Sequence, residues 1–390
     1  MKNVVILGST GSIGANGLRA IKKLGPGWRA YGLTVNSNLK ALRRQIAEFK
    51  PACVAVFDYA AWKEFSADVP RGVRLLPPGV EGLAEMASLG EAHIVLSAVA
   101  GAVGFAPLLA AIRASKHVAL ANKEPVIMAG ALLMQEARRW QAVIIPVDSE
   151  PSAIFQCLAG IKPGEYDPVV SRIFLTASGG PFYAGKRSLD SVTPAQALKH
   201  PRWSMGPKIT VDSSTLMNKG LEAIEIQNLF SLPISKIQVL IHPQSVIHSG
   251  VEFKDGSVLA QLSSPDMKLP IQYALTWPER APSLVKPLDF VKLSRLDFFE
   301  PDFRRFPCLG LAFYAAKKGG MFPAALNAAN EVAVQLFLEG TLGFTAIPRV
   351  VERVLAKCGS GAALTLAGAV EADSWARQKA AEIAENIKKR

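Results

Sequence analysis

Cysteine is scarce in this 390-residue chain, and the four present (Cys53, Cys157, Cys308, Cys358) lie far apart with no CxxC pair. That spacing argues against a disulfide framework or a zinc ribbon and fits a reducing compartment. Charge is also thin, at 19% of residues against 49% hydrophobic, which excludes global disorder and supplies material for a core. The 31 Gly and 26 Pro follow no period, so collagen-like and low-complexity classes are excluded. No internal repeat is visible. One long uncharged run exists, Ala92 to Ile112, but His93, Ser97, Gly101, Gly104 and Pro107 interrupt it. It reads as strand, turn and helix instead of a membrane span. A strand-like run (Val4–Leu7) comes almost at once, with no charged leader or cleavage site before it, and the expectation is a cytoplasmic chain.

Acidic residues are outnumbered, 32 Asp+Glu against 44 Lys+Arg, for a net charge of +12. Such a balance favours anionic partners. The basic residues are dispersed, and Arg43-Arg44 and Lys388-Lys389-Arg390 are short and lack interleaved aromatics. A phosphate-handling enzyme is therefore expected ahead of a nucleic-acid binder.

Length predicts more than one domain. Through residues 1–149, strand candidates (Val4–Leu7, Arg29–Val35, Cys53–Phe57, His93–Ser97, His117–Leu120, Val143–Val147) alternate with helical stretches such as Gly14–Leu24 and Asn38–Phe49. This predicts an α/β, Rossmann-like, doubly wound parallel sheet, with ligands beyond the carboxyl ends of its strands. Residues 150–276 read as an α+β second domain with an antiparallel-leaning sheet, with strands Arg172–Leu175, Gln238–Ile241, Gly250–Phe253 and Ser257–Leu262. Asp255-Gly256 marks a hairpin, and one long helix follows Asp212. Residues 277–302 suit a linker, and 303–390 a small helical domain broken at Gly319-Gly320, Gly340 and Gly359–Gly361.

Several segments carry chemistry. Gly8-Ser-Thr-Gly11-Ser-Ile-Gly14 follows a strand and opens a helix, as a pyrophosphate-binding turn requires. The second strand ends Thr34-Val35-Asn36-Ser37-Asn38 without a carboxylate for a ribose 2′-hydroxyl, which points to NADP over NAD. Lys123, in Asn122-Lys123-Glu124, either meets a substrate phosphate or carbonyl or is a solvated strand cap. Asp148 and Glu150, taken as extended, would point to one side and suit Mg²⁺ or Mn²⁺, or else be two exposed acids. A helix from about Ser214 would align Asn218, Glu222 and Glu225, making Glu222 a third metal carboxylate beside Asn218 and Lys219; the bland reading is a surface Lys219–Glu222 pair. Gly220 within that helix hints at close packing. Ser178-Gly179-Gly180 could form an anion nest. His200-Pro-Arg-Trp203-Ser-Met205-Gly206-Pro207 reads as a lid, or as a loop whose Trp203 fills the core. His242 and His248 either support the site from behind or are structural.

In order along the chain stand GSTGSIG, LANKE (120–124), PVDSE (146–150), SGGPF (178–182) and HPRWSMGPKITVDSSTLMNKGLE (200–222). IHPQSVIHSGVEF (241–253), FPCLGLAFYAA (306–316) and LNAANE (326–331) complete the set. Together they resemble the 1-deoxy-D-xylulose 5-phosphate reductoisomerase family across essentially the whole chain. The resemblance implies NADPH contacts at Thr10, Gly11, Ser12, Ile13, Asn36, Ser37, Asn38, Asn122, Glu124 and Gly206. It implies a Mg²⁺ or Mn²⁺ site at Asp148, Glu150 and Glu222. Substrate contacts follow at Lys123, Ser149, Glu150, Ser178, His200, Ser213, Asn218, Lys219 and Glu222, with Trp203 and Met205 in the closing loop. Lys123, His200 and the three carboxylates take the catalytic roles in a metal-assisted rearrangement followed by reduction. A homodimer acting on a phosphorylated sugar is implied, with no nucleic acid and no membrane. Two positions depart from the family pattern: Pro151 where many members carry His, and Ser37 where a basic residue is common.

Two other classes stay open from the residues. An aspartate-semialdehyde-dehydrogenase-like NADP enzyme starts with a similar turn but needs a nucleophilic cysteine, and Cys157 lies in an apolar run. A basic nucleic-acid binder would show affinity that falls steeply with salt.

Overall fold

A computed structural model describes residues 1–185, 188–200, 205–359 and 365–388. It resolves into two compact units. The first comprises Met1–Pro125, Leu133–Ser152 and Asp266–Lys286; the second comprises Val126–Leu132, Ala153–Pro265 and Pro287–Arg390.

The first unit opens with β1 (Lys2–Leu7), α1 (Ser12–Leu24), β2 (Trp28–Val35) and α2 (Leu39–Phe49). β3 (Cys53–Val56), α3 (Tyr59–Ser66), β4 (Arg74–Leu75) and α4 (Gly79–Ser88) follow. Next come β5 (Ile94–Ser97), α5 (Phe105–Arg113), β6 (His117–Leu120), α6 (Glu124–Arg139), β7 (Val143–Pro146) and α7 (Ser149–Cys157), of which Val126–Leu132 in α6 and residues 153–157 in α7 belong to the second unit. The seven strands form one parallel sheet in the order β4-β3-β2-β1-β5-β6-β7. Its central strands are apolar runs (CVAV, IVLS) because helices cover both faces and no side chain of theirs meets water. α1 packs close: a Cβ on Gly17 would stand 2.4 Å from a Leu96 methyl. Every strand and helix expected here forms; the two-residue β4 went unread because it carries too little pattern to see.

The second unit continues with α8 (Pro194–Ala197), α9 (Pro207–Ser214) and α10 (Met217–Phe230). β8 (Val170–Ala177), β9 (Ile237–Ile241), β10 (Ile247–Phe253) and β11 (Val258–Leu262) form a sheet ordered β11-β10-β8-β9. The β10–β11 and β10–β8 pairs are antiparallel and β8–β9 is parallel. The Asp255-Gly256 hairpin forms, with Gly256 at φ +87°. α11 (Lys268–Thr276) falls in the first unit, as does the chain up to Lys286. α12 (Phe290–Leu293) is a single turn, and α13 (Pro307–Lys318), α14 (Phe322–Leu338), α15 (Ala346–Lys357) and α16 (Leu366–Lys388) form the C-terminal helices. Ala324, Ala325, Ala328, Ala329 and Ala333 are fully buried on α14, and their small side chains let its neighbours approach closely.

These two units divide the chain differently from the expected boundaries at 149, 276 and 302. The stretch read as a linker is shared between them, and Phe299 forms a bridge with Ile241. Among the described residues no helix is long and apolar enough to cross a membrane.

Candidate active site

The glycine turn after β1 is held on both sides. Thr34 Oγ1 accepts from Gly8 N at 2.8 Å, and Thr34 O from Ser9 N at 2.8 Å. The Ser9 hydroxyl donates to Gln45 Oε1 at 2.7 Å, and Gln45 Nε2 donates to Ser9 O at 2.9 Å. Two of the three glycines are demanded by the chain itself. Gly8 has φ +83° and a Cβ there would lie 2.7 Å from Ala98 O; on Gly14 it would lie 2.3 Å from Gly8 O. Gly11 is different, since its Cβ would meet nothing nearer than 3.5 Å. Gly11 is the N-cap of α1, with no capping side chain and no acid in the first turn, so the leading N–H groups suit an anion. Thr10 and Ile13 are half-buried there, and Gly11 and Ser12 are exposed. At the end of β2, Asn36, Ser37 and Asn38 are exposed, and Asn38 Oδ1 caps α2 by accepting from Ala41 N at 3.0 Å.

After β6, Asn122 is buried, and its Nδ2 donates to Glu124 Oε2 at 2.6 Å and to Gly101 O at 3.3 Å. Lys123 is not a solvated cap. Its side chain is 7% exposed and its Nζ forms an ion pair with Asp148. The extended Asp148-Ser149-Glu150 segment expected from the sequence does not form either. β7 ends at Pro146 and α7 begins at Ser149, so Asp148 caps a helix. Its Oδ1 accepts from Ser149 N at 3.0 Å and its carbonyl from Ser152 N at 2.9 Å. Glu150 lies in the first turn, where the helix dipole favours an acid, and takes a 2.5 Å bond from the Ser149 hydroxyl.

In the second unit, Ser178 follows β8 and Gly179-Gly180 both have positive φ (+85° and +68°). Gly180 N donates to Ser178 Oγ at 3.3 Å, so one amide of the expected nest is turned onto its own serine. His200 Nε2 lies 3.0 Å from Ser178 Oγ and 3.1 Å from Ser213 Oγ. Three residues far apart in sequence thus share one hydrogen-bonded cluster. Met205 is half-buried and Gly206 is the exposed N-cap of α9; Trp203 lies outside the described residues.

The single helix expected after Asp212 is two. α9 ends at Ser214, Leu216 takes φ +60°, and α10 starts at Met217. Hydroxyls break the run by taking backbone partners: Ser214 Oγ donates to Thr210 O at 3.0 Å and Thr215 Oγ1 to Asp212 O at 3.2 Å. Thr215 Oγ1 also accepts from Met217 N at 3.3 Å. On α10, Asn218, Glu222 and Glu225 share the predicted face and are all buried. Glu222 accepts from Asn218 Nδ2 and from Lys219 Nζ, each at 2.5 Å. The Lys219–Glu222 pair is therefore real but buried, at 8% and 1% exposed. A Cβ on Gly220 would stand 2.3 Å from Ala312 Cβ, the close packing its position hinted at.

His242 is structural. Its Nδ1 lies 2.9 Å from Asp297 O and its Nε2 accepts from Val246 N and Ile247 N at 3.2 Å. His248 Nε2 lies 2.8 Å from Ser263 Oγ. Sequence reasoning missed two supporting residues. Asp212, 1% exposed, pairs with Lys208 at 2.9 Å and accepts from Asn330 Nδ2 at 2.8 Å, tying α9 to α14. Their signal was present, as polar positions inside otherwise helical, apolar runs.

Three family profiles match this chain. They are 1-deoxy-D-xylulose 5-phosphate reductoisomerase over residues 4–130, its C-terminal domain over 144–230, and the DXP reductoisomerase C-terminal domain over 262–379. The 1-deoxy-D-xylulose 5-phosphate reductoisomerase of Elusimicrobium minutum is 52% identical over 389 residues, 100% of this chain and 98% of that protein. The chain belongs to the 1-deoxy-D-xylulose 5-phosphate reductoisomerase family. The reductoisomerase of Thermodesulfovibrio yellowstonii is 48% identical over 97% of this chain and 98% of its own. Among solved structures, the Zymomonas mobilis reductoisomerase in complex with NADPH aligns with TM-score 0.90 at 41% identity, covering 98% of this chain and 99% of that one. A DOX-P reductoisomerase in complex with NADPH, fosmidomycin and magnesium aligns with TM-score 0.93 at 39% identity, covering 100% of this chain and 99% of that one. The α/β sheet, the second sheet and the C-terminal helices are thus the reductoisomerase fold.

Proposed function

We propose that this chain converts 1-deoxy-D-xylulose 5-phosphate into 2-C-methyl-D-erythritol 4-phosphate, a step toward isoprenoid precursors, using NADPH and Mg²⁺ or Mn²⁺. The observation that carries this reading is family membership over the whole chain, at 52% identity to a reductoisomerase. The residues fit both groups. Around Gly11 the chain's own packing asks for no glycine, yet the position opens an uncapped helix end, as close approach of a pyrophosphate requires. Hard carboxylate oxygens from Asp148, Glu150 and Glu222 match a divalent cation of this kind. When bound, the cation polarises the ketone and hydroxyl oxygens of the sugar and the nicotinamide supplies hydride.

The chain's own groups bind and orient. Ser178, His200, Ser213, Asn218 and Lys219 hold the sugar phosphate, and Lys123 and Ser149 position it near the carboxylates. Buried Lys123 and half-buried His200 steady developing charge. Thr10, Gly11, Ser12, Ile13, Asn36, Ser37 and Asn38 take the adenosine and pyrophosphate side of NADPH, and Asn122, Glu124 and Gly206 its nicotinamide side. Trp203 and Met205 close over the substrate and exclude water. In functional terms, residues 1–149 hold the dinucleotide, 150–276 the substrate and lid, and 303–390 support them across the segment 277–302.

We assign the protein to the cytoplasm as a homodimer. The dimer reading is supported by β11, an edge strand whose Val258 and Leu259 are 52% and 51% exposed. A cysteine-nucleophile dehydrogenase is disfavoured, because burial pushes the Cys157 thiol up to about 11.

The test is loss of NADPH absorbance with 1-deoxy-D-xylulose 5-phosphate, with and without Mg²⁺ or Mn²⁺, and with NADH for comparison. Metal-dependent oxidation of NADPH, weak with NADH, is expected. Folded protein that binds NADPH yet oxidises none under any metal would sink the reading.

A further inference from the structure

Gly104 ends the short turn Ala102–Gly104 that leads into α5; it is buried, and its φ of −70° suits any residue. A single neighbour excludes a side chain there. A Cβ on Gly104 would overlap Asn122 Oδ1 and lie 2.8 Å from Asn122 Cγ, and the third-nearest atom, Nδ2 at 3.6 Å, belongs to the same amide. Gly8 and Gly14 are required by backbone oxygens, whereas Gly104 is required by one polar side chain.

That amide is fixed at both ends. The Asn122 backbone N–H donates to Ser97 O at 3.1 Å. Its Nδ2 donates to Gly101 O at 3.3 Å and to Glu124 Oε2 at 2.6 Å. Both of these neighbours are acceptors, so the nitrogen lies on their side and Oδ1 on the side of Gly104. Gly101 O also accepts from Gly104 N at 3.2 Å, so the turn that bears Gly104 and the amide it meets share one carbonyl. Among the described residues no donor reaches buried Asn122 Oδ1. A buried acceptor without a donor costs free energy, and the amide keeps this orientation because the two donated bonds and the bare Cα of Gly104 hold it. Gly101, Gly104, Asn122 and Glu124 all lie in the first unit.

We propose that Gly104 is a positioning residue for the cofactor: its missing side chain admits the Asn122 amide in the orientation that holds the Glu124 carboxylate, and so sets the nicotinamide side of the NADPH site. The proposal rests on the cofactor reading above, in which Asn122 and Glu124 meet that end of NADPH. A methyl group at position 104 leaves the backbone of the turn unstrained and forces the amide into another rotamer, since the end of a side chain yields before a helix start does. Glu124 then loses its 2.6 Å donor, while the glycine turn after β1 keeps its bonds to Thr34 and Gln45.

The experiment titrates the full chain, without metal or sugar phosphate, with two probes. NADPH is followed by the emission of its reduced nicotinamide, and 2′-phospho-ADP-ribose, which has the adenosine and pyrophosphate but no nicotinamide, by calorimetry. Wild type is expected to bind both. Gly104→Ala should weaken NADPH about tenfold, as loss of one charge-assisted hydrogen bond does, and leave 2′-phospho-ADP-ribose within about twofold. General damage to the fold would weaken both probes alike. Asn122→Ala should weaken NADPH by a similar factor, and Gly104→Ala on that background should add nothing, because the methyl group has no amide to expel. Thermal melts establish which variants fold. If Gly104→Ala does not, the double variant decides: it is expected to fold and to bind NADPH as Asn122→Ala does, and its failure to fold would overturn the proposal. Equal NADPH affinity in wild type and Gly104→Ala, an equal loss of 2′-phospho-ADP-ribose, or additive effects of the two substitutions would each overturn it and leave the cofactor reading intact. Wild type that fails to bind NADPH would overturn the cofactor reading, and this proposal with it.

Discussion

At residue scale, glycines of one motif answer to different demands. Gly14 is required by the backbone of Gly8, 2.3 Å from where its Cβ would be, whereas the space around Gly11 admits a methyl group at 3.5 Å. Gly14→Ala is therefore expected to destabilise the fold by about 1–3 kcal/mol. Gly11→Ala should leave the melting temperature within error and raise the KM for NADPH severalfold; an unchanged KM would show that nothing approaches there. Glu222→Gln is expected to lose most turnover, most strongly at limiting Mg²⁺, with wild-type rates at limiting metal counting against the three-carboxylate site. His242 carries the clearest pH effect. Burial holds its imidazole below the ordinary 6.5, and protonating Nε2 would displace the amides of Val246 and Ile247 that it accepts. The folded pKa lies below the unfolded one, so the unfolded chain binds more protons as pH falls. Stability is complete above about pH 6.5 and is lost below it, at no more than about 1.4 kcal/mol per pH unit. Urea midpoints should fall more between about pH 7 and pH 5.5 in the wild type than in His242→Asn. His117, also depressed by burial, adds in the same direction and stays in both proteins.

At the scale of elements, the residues proposed for the site sit, within each unit, where regular structure stops. Asp148 sits between β7 and α7, and the Thr215–Leu216 break puts Ser213 at the end of α9 and Asn218 in the first turn of α10. Periodicity located α10 and its acidic face, since spacing of i, i+4, i+7 follows from the helix itself. It missed the break, because Ser and Thr hydroxyls compete for backbone groups in a way that apolar pattern does not record. It also took the DSE triplet as strand, although the acid and serine there favour a helix start. α10 meets α13 at Gly220, where no methyl group fits beside Ala312. Gly220→Ala should cost about 1–3 kcal/mol in denaturant unfolding despite its better helix propensity; a stabilised variant would mean the helices separate easily. Asn330→Leu removes the 2.8 Å bond that anchors Asp212. A raised KM for the sugar phosphate is expected, with a smaller rise for NADPH, since α9 bears Ser213 and meets the proposed cofactor contacts only at its N-cap, Gly206.

At the scale of the whole molecule, the exposed edge of β11 tests the proposed homodimer. Leu259→Lys places charge on that edge and is expected to shift sedimentation from dimer to monomer, while an unchanged dimer would put the interface elsewhere. Much was legible before any coordinates. Alternating apolar runs and helical stripes specified the parallel sheet, the glycine turn after β1 and the C-terminal helices, because these depend on local period and on residues adjacent in sequence. Ordered motifs from Gly8 to Glu331 identified the family. Sequence by itself also marked Asp148, Glu150, Glu222, Lys123 and His200 as residues of interest. Only tertiary structure decided what each touches. Lys123 became a buried partner of Asp148, and His200 met Ser178 and Ser213 across 22 and 13 residues of chain. Boundaries read from the sequence at 149, 276 and 302 follow chain order, whereas each compact unit gathers segments separated along the chain. The reason is physical: secondary structure follows from neighbours a few residues apart, whereas burial, ion pairing and cavities arise from segments that meet only when the chain has folded, and no local pattern encodes those meetings.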